Sequence, residues 1–155
     1  MNLQMASAQY PVGQHASFDE WRLHANHWVS EAAHHGAKLL LFPEYGSMEL
    51  VSLLPEEVQK DLKLQLVEMR RFYDDFCSVY ADLARQYNVL IVAPSFPVLQ
   101  PSGKVYNRAN VFSQQGLAGW QDKLMMTRFE NEHWGIQQAP PSFSLFEATW
   151  GSFGV

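Results

Sequence analysis

Two short runs of apolar residues, each closed by a proline, constrain the fold of this chain most. Residues 39–42 precede Pro43, and residues 89–93 precede Pro94. Unbroken apolar runs of this kind are typical of strands buried on both faces, whereas a strand with one wet face alternates apolar and polar residues. The chain must therefore build a sheet that has packed layers on both of its sides.

An amphipathic helix is predicted before the first of these strands. Ser17 and Glu20 form a capping-box pattern, and apolar residues then recur at helical spacing. A weakly alternating stretch precedes the helix, so the order is strand, helix, strand, the unit that normally makes parallel sheet. We predict strands at 3–9 and 38–43 and a helix at 18–35.

The remainder of the chain predicts a second helical region followed by antiparallel strands. Pro55 opens the helical region, which is expected either as one long helix or as two with a break near Leu64. Turn signals then separate segments with partial period-two alternation. The predicted fold class is α/β with a mixed sheet, in a single domain over residues 1–155. Strands are expected at 89–93, 104–113, 117–124, 144–150 and 152–155, with a loop at 131–142.

Composition and charge exclude several classes of function. The formal net charge is −5 and lysines and arginines form no cluster, which speaks against a nucleic-acid partner. No apolar run approaches the roughly 18–20 residues of a membrane span, and the first residues do not form a signal peptide. Cys77 is the only cysteine, so no internal disulfide can form. We expect a cytoplasmic protein without a cofactor and without a membrane partner.

Polar residues at the ends of two predicted strands suggest a site. Glu44 follows a buried strand, and ligands of open α/β sheets bind beyond the carboxyl ends of the strands. Lys123 follows a hairpin strand, and Glu130 and Glu132 come seven and nine residues later. Taken singly, each is most simply a solvated residue. Glu130 and Glu132 are expected to face opposite ways, with Glu130 directed toward Lys123.

Four stretches, in order along the chain, resemble the carbon–nitrogen hydrolase (nitrilase) superfamily. They are MASAQYPVG at 5–13, FPE at 42–44, YNRANVF at 106–112 and WQDKLMM at 120–126, followed by a glutamate. The resemblance implies half of an α-β-β-α sandwich. It also implies hydrolysis of a non-peptide carbon–nitrogen bond in a small amide, nitrile or carbamoyl substrate.

The same resemblance implies a role for each candidate residue. Glu44 would be the general base, Lys123 would stabilise the developing oxyanion, and Glu130, or as the alternative Glu132, would be the second acid. Glu132 and Tyr45 are expected at the substrate. The family's nucleophile is a cysteine, and a thiol needs an adjacent base or positive charge to attack well at neutral pH.

The expected cysteine is missing from the sequence. By resemblance it should follow the strand GSFGV, after which the sequence stops at Val155. Cys77 lies in a helical stripe and is expected as a small core thiol, and Ser152 lacks the G-x-S-x-G elbow. We therefore expect a domain truncated just before its nucleophile, which alone would be inactive. Its expected partners are further copies of itself or a complementary C-terminal chain.

Two other functions stay open. His24 and His27 lie three apart on the predicted helix and could bind zinc. The stronger H-E-x-x-H pattern is absent, however, and both are expected on the wet flank, so no metal site is predicted. Five tryptophans and ten phenylalanines also permit a non-catalytic binding or assembly module derived from the nitrilase fold.

Overall fold

The centre of the fold is a six-stranded mixed sheet, which confirms the predicted class. A computed structural model describes residues 2–155 of the chain. The first three strands are parallel, and antiparallel hairpins complete the sheet. The strands are β1 (Met5–Ser7), β2 (Leu39–Leu41), β3 (Leu90–Val92), β4 (Phe96–Leu99), β5 (Val105–Ser113) and β6 (Gly116–Asp122), with a separate hairpin of β7 (Phe146–Ala148) and β8 (Gly151–Phe153).

Two of the four α-helices begin at side-chain caps. Ser17 Oγ accepts a hydrogen bond from the Glu20 N–H at 3.2 Å, so the first helix starts where the capping box predicts. The second helical region is more broken than expected, because the Asp61 carboxylate caps a new helix at that point rather than near Leu64. The helices are α1 (Phe18–His34), α2 (Glu56–Gln59), α3 (Leu62–Glu68) and α4 (Tyr73–Tyr87), with 3-10 helices at Gly46–Leu53 and Met69–Phe72 and a π-helical turn at Glu130–Trp134.

Strand β4 is absent from the sequence predictions. It follows β3 along the same side of β5, which is its one partner among the strands of residues 2–155. Pro97 lies in this strand, where a residue without an N–H is tolerated because the strand has a free edge. The π-helical turn is likewise a correction, since residues 131–142 were expected to be entirely loop.

The two apolar runs are buried on both faces, as the sequence predicts. Leu40 and Ile91 face the core formed with α1 and α4, where Trp21, Phe76 and Tyr80 are fully buried. The alternate residues of the same strands, Leu39 and Val92, pack against Phe146 of the β7–β8 hairpin. The sheet is thus covered by helices on one face and by a single hairpin on the other.

His24 corrects the prediction for the histidines of α1. His27 is exposed, as expected, but the His24 ring packs 5.0 Å from that of Tyr10 and 5.3 Å from that of His15, with its Nε2 buried. Burial lowers the pKa of His24. The segment before α1 folds over this flank of the helix, which helical spacing alone does not reveal.

Neither a metal cluster nor a membrane span is found in the described part of the chain. Over residues 2–155, no three histidine, cysteine, aspartate or glutamate side chains are grouped so that they could hold a metal ion. No helix in that range is long and apolar enough to cross a membrane. Cys77 is partly buried on α4, and burial raises the pKa of its thiol to about 11.

Candidate active site

Glu44 stands at a rigid corner beyond the carboxyl end of β2. The Phe42 N–H donates to the Val92 carbonyl at 3.0 Å, so sheet pairing continues to the residue before Pro43. Tyr45 then turns the chain with a left-handed backbone, φ 58°, a conformation that is uncommon for a bulky residue. Its N–H donates to Ser95 Oγ at 2.7 Å, which fixes the corner against the segment between β3 and β4.

Lys123 reaches the same place from the end of β6. Its N–H donates to the Asn107 carbonyl at 2.8 Å, so the residue is held in register with β5. Its Nζ lies 2.8 Å from Glu44 Oε1 and 2.9 Å from both carboxylate oxygens of Glu130. The structure thus brings together three residues from positions 44, 123 and 130 of the sequence.

Glu130 is the buried member of this cluster, with a side chain that is 3% exposed. Its carboxylate accepts hydrogen bonds from the Tyr45 hydroxyl and, at 2.6 Å, from the Thr127 N–H. Burial raises the pKa of Glu130, but the hydrogen bonds from Tyr45, Lys123 and Thr127 outweigh it and lower that pKa to about 2. Glu130 is therefore a fixed negative charge at neutral pH and a poor proton acceptor.

Lys123 is correspondingly a fixed positive charge. Burial lowers the pKa of its ammonium, but the hydrogen bonds to Glu44 and Glu130 outweigh burial, so that the pKa lies above its ordinary value. Glu44 differs from both, because its side chain is 52% exposed and faces open space. Of the three groups, Glu44 is the one placed to exchange a proton with a ligand.

A cleft of about 690 Å³ opens beside the cluster, and Glu44 and Lys123 line it. Most of its wall is apolar, with contributions from Phe42, Leu124 and Phe143. Val155 lines the same cleft. A few polar groups that converge in an apolar cleft are typical of a small-molecule site.

Tyr45 and Glu132 do not line this cleft. The Tyr45 hydroxyl is engaged by Glu130, and its ring packs on Trp134 with centroids 4.7 Å apart. Glu132 is 49% exposed and pairs with Arg128 at 2.9 Å on the surface. The two glutamates do face apart, although the segment is a π-helical turn rather than extended. Substrate binding by Tyr45 and Glu132 stays a prediction, without a contact in the cleft to support it.

Asn107 is a member of the site that sequence reasoning missed. It lies in β5, is 3% exposed, and its side-chain Nδ2 donates to Glu44 Oε1 at 2.8 Å. In the sequence, Asn107 stands out only as a polar residue within a strand that has to pass through the core. No periodicity indicates which of the two asparagines in YNRANVF faces Glu44.

The chain with this mixed sheet and glutamate–lysine–glutamate cluster is similar to known hydrolases. The chain belongs to the carbon–nitrogen hydrolase family, which matches residues 4–155. The probable hydrolase YhcX of Bacillus subtilis (strain 168) is 30% identical over 147 residues, which are 95% of this chain and 28% of YhcX. The resemblance found in the sequence is confirmed.

Solved structures share the fold at low identity. A carbon–nitrogen hydrolase from Helicobacter pylori G27 has a TM-score of 0.70 at 14% identity, over 95% of this chain and 48% of its own. Nit3 from Saccharomyces cerevisiae, a member of branch 10 of the nitrilase superfamily, has a TM-score of 0.65 at 17% identity, over 92% and 51%. A variant of the amidase from Nesterenkonia sp. AN1, which shows the result of Michael addition of acrylamide at the active site cysteine, has a TM-score of 0.66 at 14% identity, over 99% and 56%. The chain thus spans about half the length of these structures.

Proposed function

We propose that the protein to which this chain belongs hydrolyses a non-peptide carbon–nitrogen bond in a small amide, nitrile or carbamoyl substrate. The observation that carries the proposal is the Lys123 ammonium, held between Glu44 and Glu130 at the wall of an apolar cleft. Such a group is suited to bind the oxygen on which negative charge develops. Glu44, half-exposed beside it, is suited to carry the proton.

For an amide, the mechanism needs two transfers of a proton through Glu44. The carboxylate takes the proton from a cysteine thiol, whose sulfur bonds to the carbonyl carbon while the oxygen becomes an anion facing Lys123. Glu44 returns the proton to the nitrogen as the carbon–nitrogen bond breaks, which leaves a thioester. Water then loses a proton to Glu44 and attacks the thioester, and Glu44 returns that proton to the sulfur as the carbon–sulfur bond breaks, which releases the acid and the thiol. Glu130 keeps Lys123 charged and in place throughout.

The nucleophile in this proposal is a cysteine outside residues 1–155. Cys77 does not suit the role, because it lies on α4 beside Asn110 and burial raises its pKa to about 11. Val155, by contrast, lines the cleft with Glu44 and Lys123. A cysteine shortly after it in the same polypeptide, or in a complementary chain, would lie near the base. The active site cysteine of the amidase relative supports this assignment.

Ammonia release from a panel of small amides and nitriles tests the proposal. We expect residues 1–155 alone to be inactive, and a protein that also carries the following polypeptide to hydrolyse at least one substrate. Cys77→Ala should leave that activity unchanged. Glu44→Gln should lower it, and Glu57→Gln, at an exposed residue of α2, is the matched control. Hydrolysis by residues 1–155 alone, unaffected by Cys77→Ala, would show that the assignment of the nucleophile is wrong.

An assembly surface is the second candidate function, and exposed apolar side chains favour it. Met125, Phe143 and Leu145 are all largely exposed, and the first two line the cleft. Apolar groups concentrated in this way are typical of surfaces that a partner covers. We expect residues 1–155 to oligomerise, or to bind a complementary C-terminal chain, in size-exclusion chromatography with light scattering. A monomer at all concentrations that also fails to bind the complementary C-terminal chain would contradict this second candidate.

A further inference from the structure

Asn107 contacts both members of the Glu44–Lys123 pair. Its side-chain Nδ2 donates to Glu44 Oε1 at 2.8 Å, and its main-chain carbonyl accepts from the Lys123 N–H at 2.8 Å. Its strand is paired on both sides here, with β4 at Asn107 itself and with the end of β6 at the neighbouring Arg108. A single residue within the sheet therefore sets the distance between the carboxylate and the ammonium.

The orientation of the Asn107 amide is set by its neighbours. Nδ2 donates a hydrogen bond to Glu44 Oε1 at 2.8 Å. Oδ1, in contrast, is buried and has no hydrogen-bond partner among residues 2–155. Rotating the amide by half a turn would set the Oδ1 lone pairs against those of the Glu44 carboxylate. The amide is thus oriented with its N–H donors toward the site, and this orientation leaves its oxygen without a hydrogen-bond partner.

We propose that Asn107 is the positioning residue of the base. It holds Glu44 by Oε1, which leaves Oε2 free for the proton in transit, and it keeps the exposed carboxylate against Lys123. Without Asn107, Lys123 is the one remaining partner of the Glu44 side chain within the described chain. The catalytic consequence rests on the proposed function, whereas the positioning can be observed without any activity.

The first test is the titration of Lys123 Nζ, followed by NMR of labelled lysine side chains in residues 1–155. Asn107→Leu removes the donor while it keeps an approximate shape. Asn110→Leu is the matched control, because Asn110 is also buried on β5 but its side chain contacts Tyr73 and Cys77. We expect Asn107→Leu to lower the pKa of Lys123 by about half a unit or more as Glu44 leaves it. Asn110→Leu should leave that pKa unchanged. Equal titration in the two variants would overturn the proposal.

The second test uses the proposed hydrolase with its cysteine present. This test remains informative if the Asn107→Leu variant fails to fold. Asn107→Asp has the same shape but donates a hydrogen bond only when its new carboxyl group is protonated. We expect kcat to fall about 10-fold or more at neutral pH with KM little changed, and the loss to shrink as the pH is lowered. A loss that is the same at every pH would overturn positioning by a donated hydrogen bond. If no substrate is hydrolysed at all, the proposed function fails while the Lys123 titration still decides the positioning.

Discussion

Two buried glutamates in this protein, Glu130 and Glu49, each accept a hydrogen bond from a tyrosine, yet their surroundings differ in one respect. Glu130 contacts the Lys123 ammonium at the wall of the cleft. Glu49, on the 3-10 helix Gly46–Leu53, is completely buried and has no lysine or arginine beside it among the described residues. It accepts from the Tyr10 hydroxyl, from Trp21 Nε1 at 2.6 Å and from His15 at 3.2 Å.

This difference separates Glu130, which belongs to the candidate site, from Glu49, which holds structural elements together. A carboxylate paired with a cation can hold that cation in position for a reaction, and this is the role that we propose for Glu130 toward Lys123. Glu49 instead joins the 3-10 helix to α1 and to the segment directly before α1, through partners that lie 28 to 39 residues earlier in the chain. The 3-10 helix begins directly after the corner at Glu44 and Tyr45. Glu49 thus secures one side of the corner, and Asn107 and Ser95 secure the other.

The largest expected effect on this comparison comes from replacing Glu44 and Glu49, one at a time, by glutamine in the proposed hydrolase with its cysteine present. We expect Glu44→Gln to lower kcat by about 10²–10⁴-fold, because proton transfer is lost. Glu49→Gln keeps an acceptor for Tyr10 and Trp21, and should change the activity only through the fraction of folded protein. Steady-state kinetics normalised to folded enzyme measure both. A well-folded Glu49→Gln variant that is as inactive as Glu44→Gln would remove the distinction.

The next effect concerns the stability of the cluster. Lys123→Met leaves Glu130 buried without its cation and should lower the free energy of unfolding by about 3–5 kcal/mol. The double variant Lys123→Met/Glu130→Gln should recover part of that loss, because the uncompensated charge is gone. Lys104→Met, at an exposed lysine, is the control. Urea denaturation at pH 7 measures the series, and equal losses in the single and double variants would contradict the pairing.

The pH dependence of unfolding offers a finer test. Because the pKa of Glu130 is lowered from 4.5 to about 2 on folding, its contribution to stability is fully present above pH 4.5. That contribution is lost as the pH falls through 2. The difference in unfolding free energy between the wild type and Glu130→Gln should therefore narrow from pH 4.5 downward. Urea denaturation at a series of pH values measures this difference in unfolding free energy. A difference that stays constant with pH would contradict the pairing of the Glu130 carboxylate.

The smallest expected effect is at Glu132. Glu132 and its ion-pair partner Arg128 are both exposed. The Glu132→Gln substitution should therefore change the free energy of unfolding by no more than about 0.5 kcal/mol. The kinetic constants of the hydrolase should stay the same, because Glu132 does not line the cleft. A several-fold rise in KM in this variant would instead support the substrate-binding role that the sequence predicts.

Sequence reasoning succeeded where local pattern decides the structure. The apolar runs identify β2 and β3 because a strand buried on both faces cannot alternate, and this placed Glu44 at a strand end. It failed where partners come from distant segments. The burial of His24 depends on Tyr10 and His15 folding over α1. The role of Asn107 depends on which face of β5 meets the corner, and that follows from the sheet register rather than from any spacing.

The left-handed backbone of Tyr45 has a consequence for redesign. A side chain in this conformation destabilises the fold by roughly 1–2 kcal/mol, so an engineer seeking thermal stability would choose glycine for this position first. Glycine would relieve the backbone, but it would also remove the hydroxyl that holds Glu130 and the ring that packs on Trp134. The substitution most attractive for heat resistance is thus one that would loosen the support of Lys123. At this position, thermal stability favours glycine, whereas the proposed site requires tyrosine.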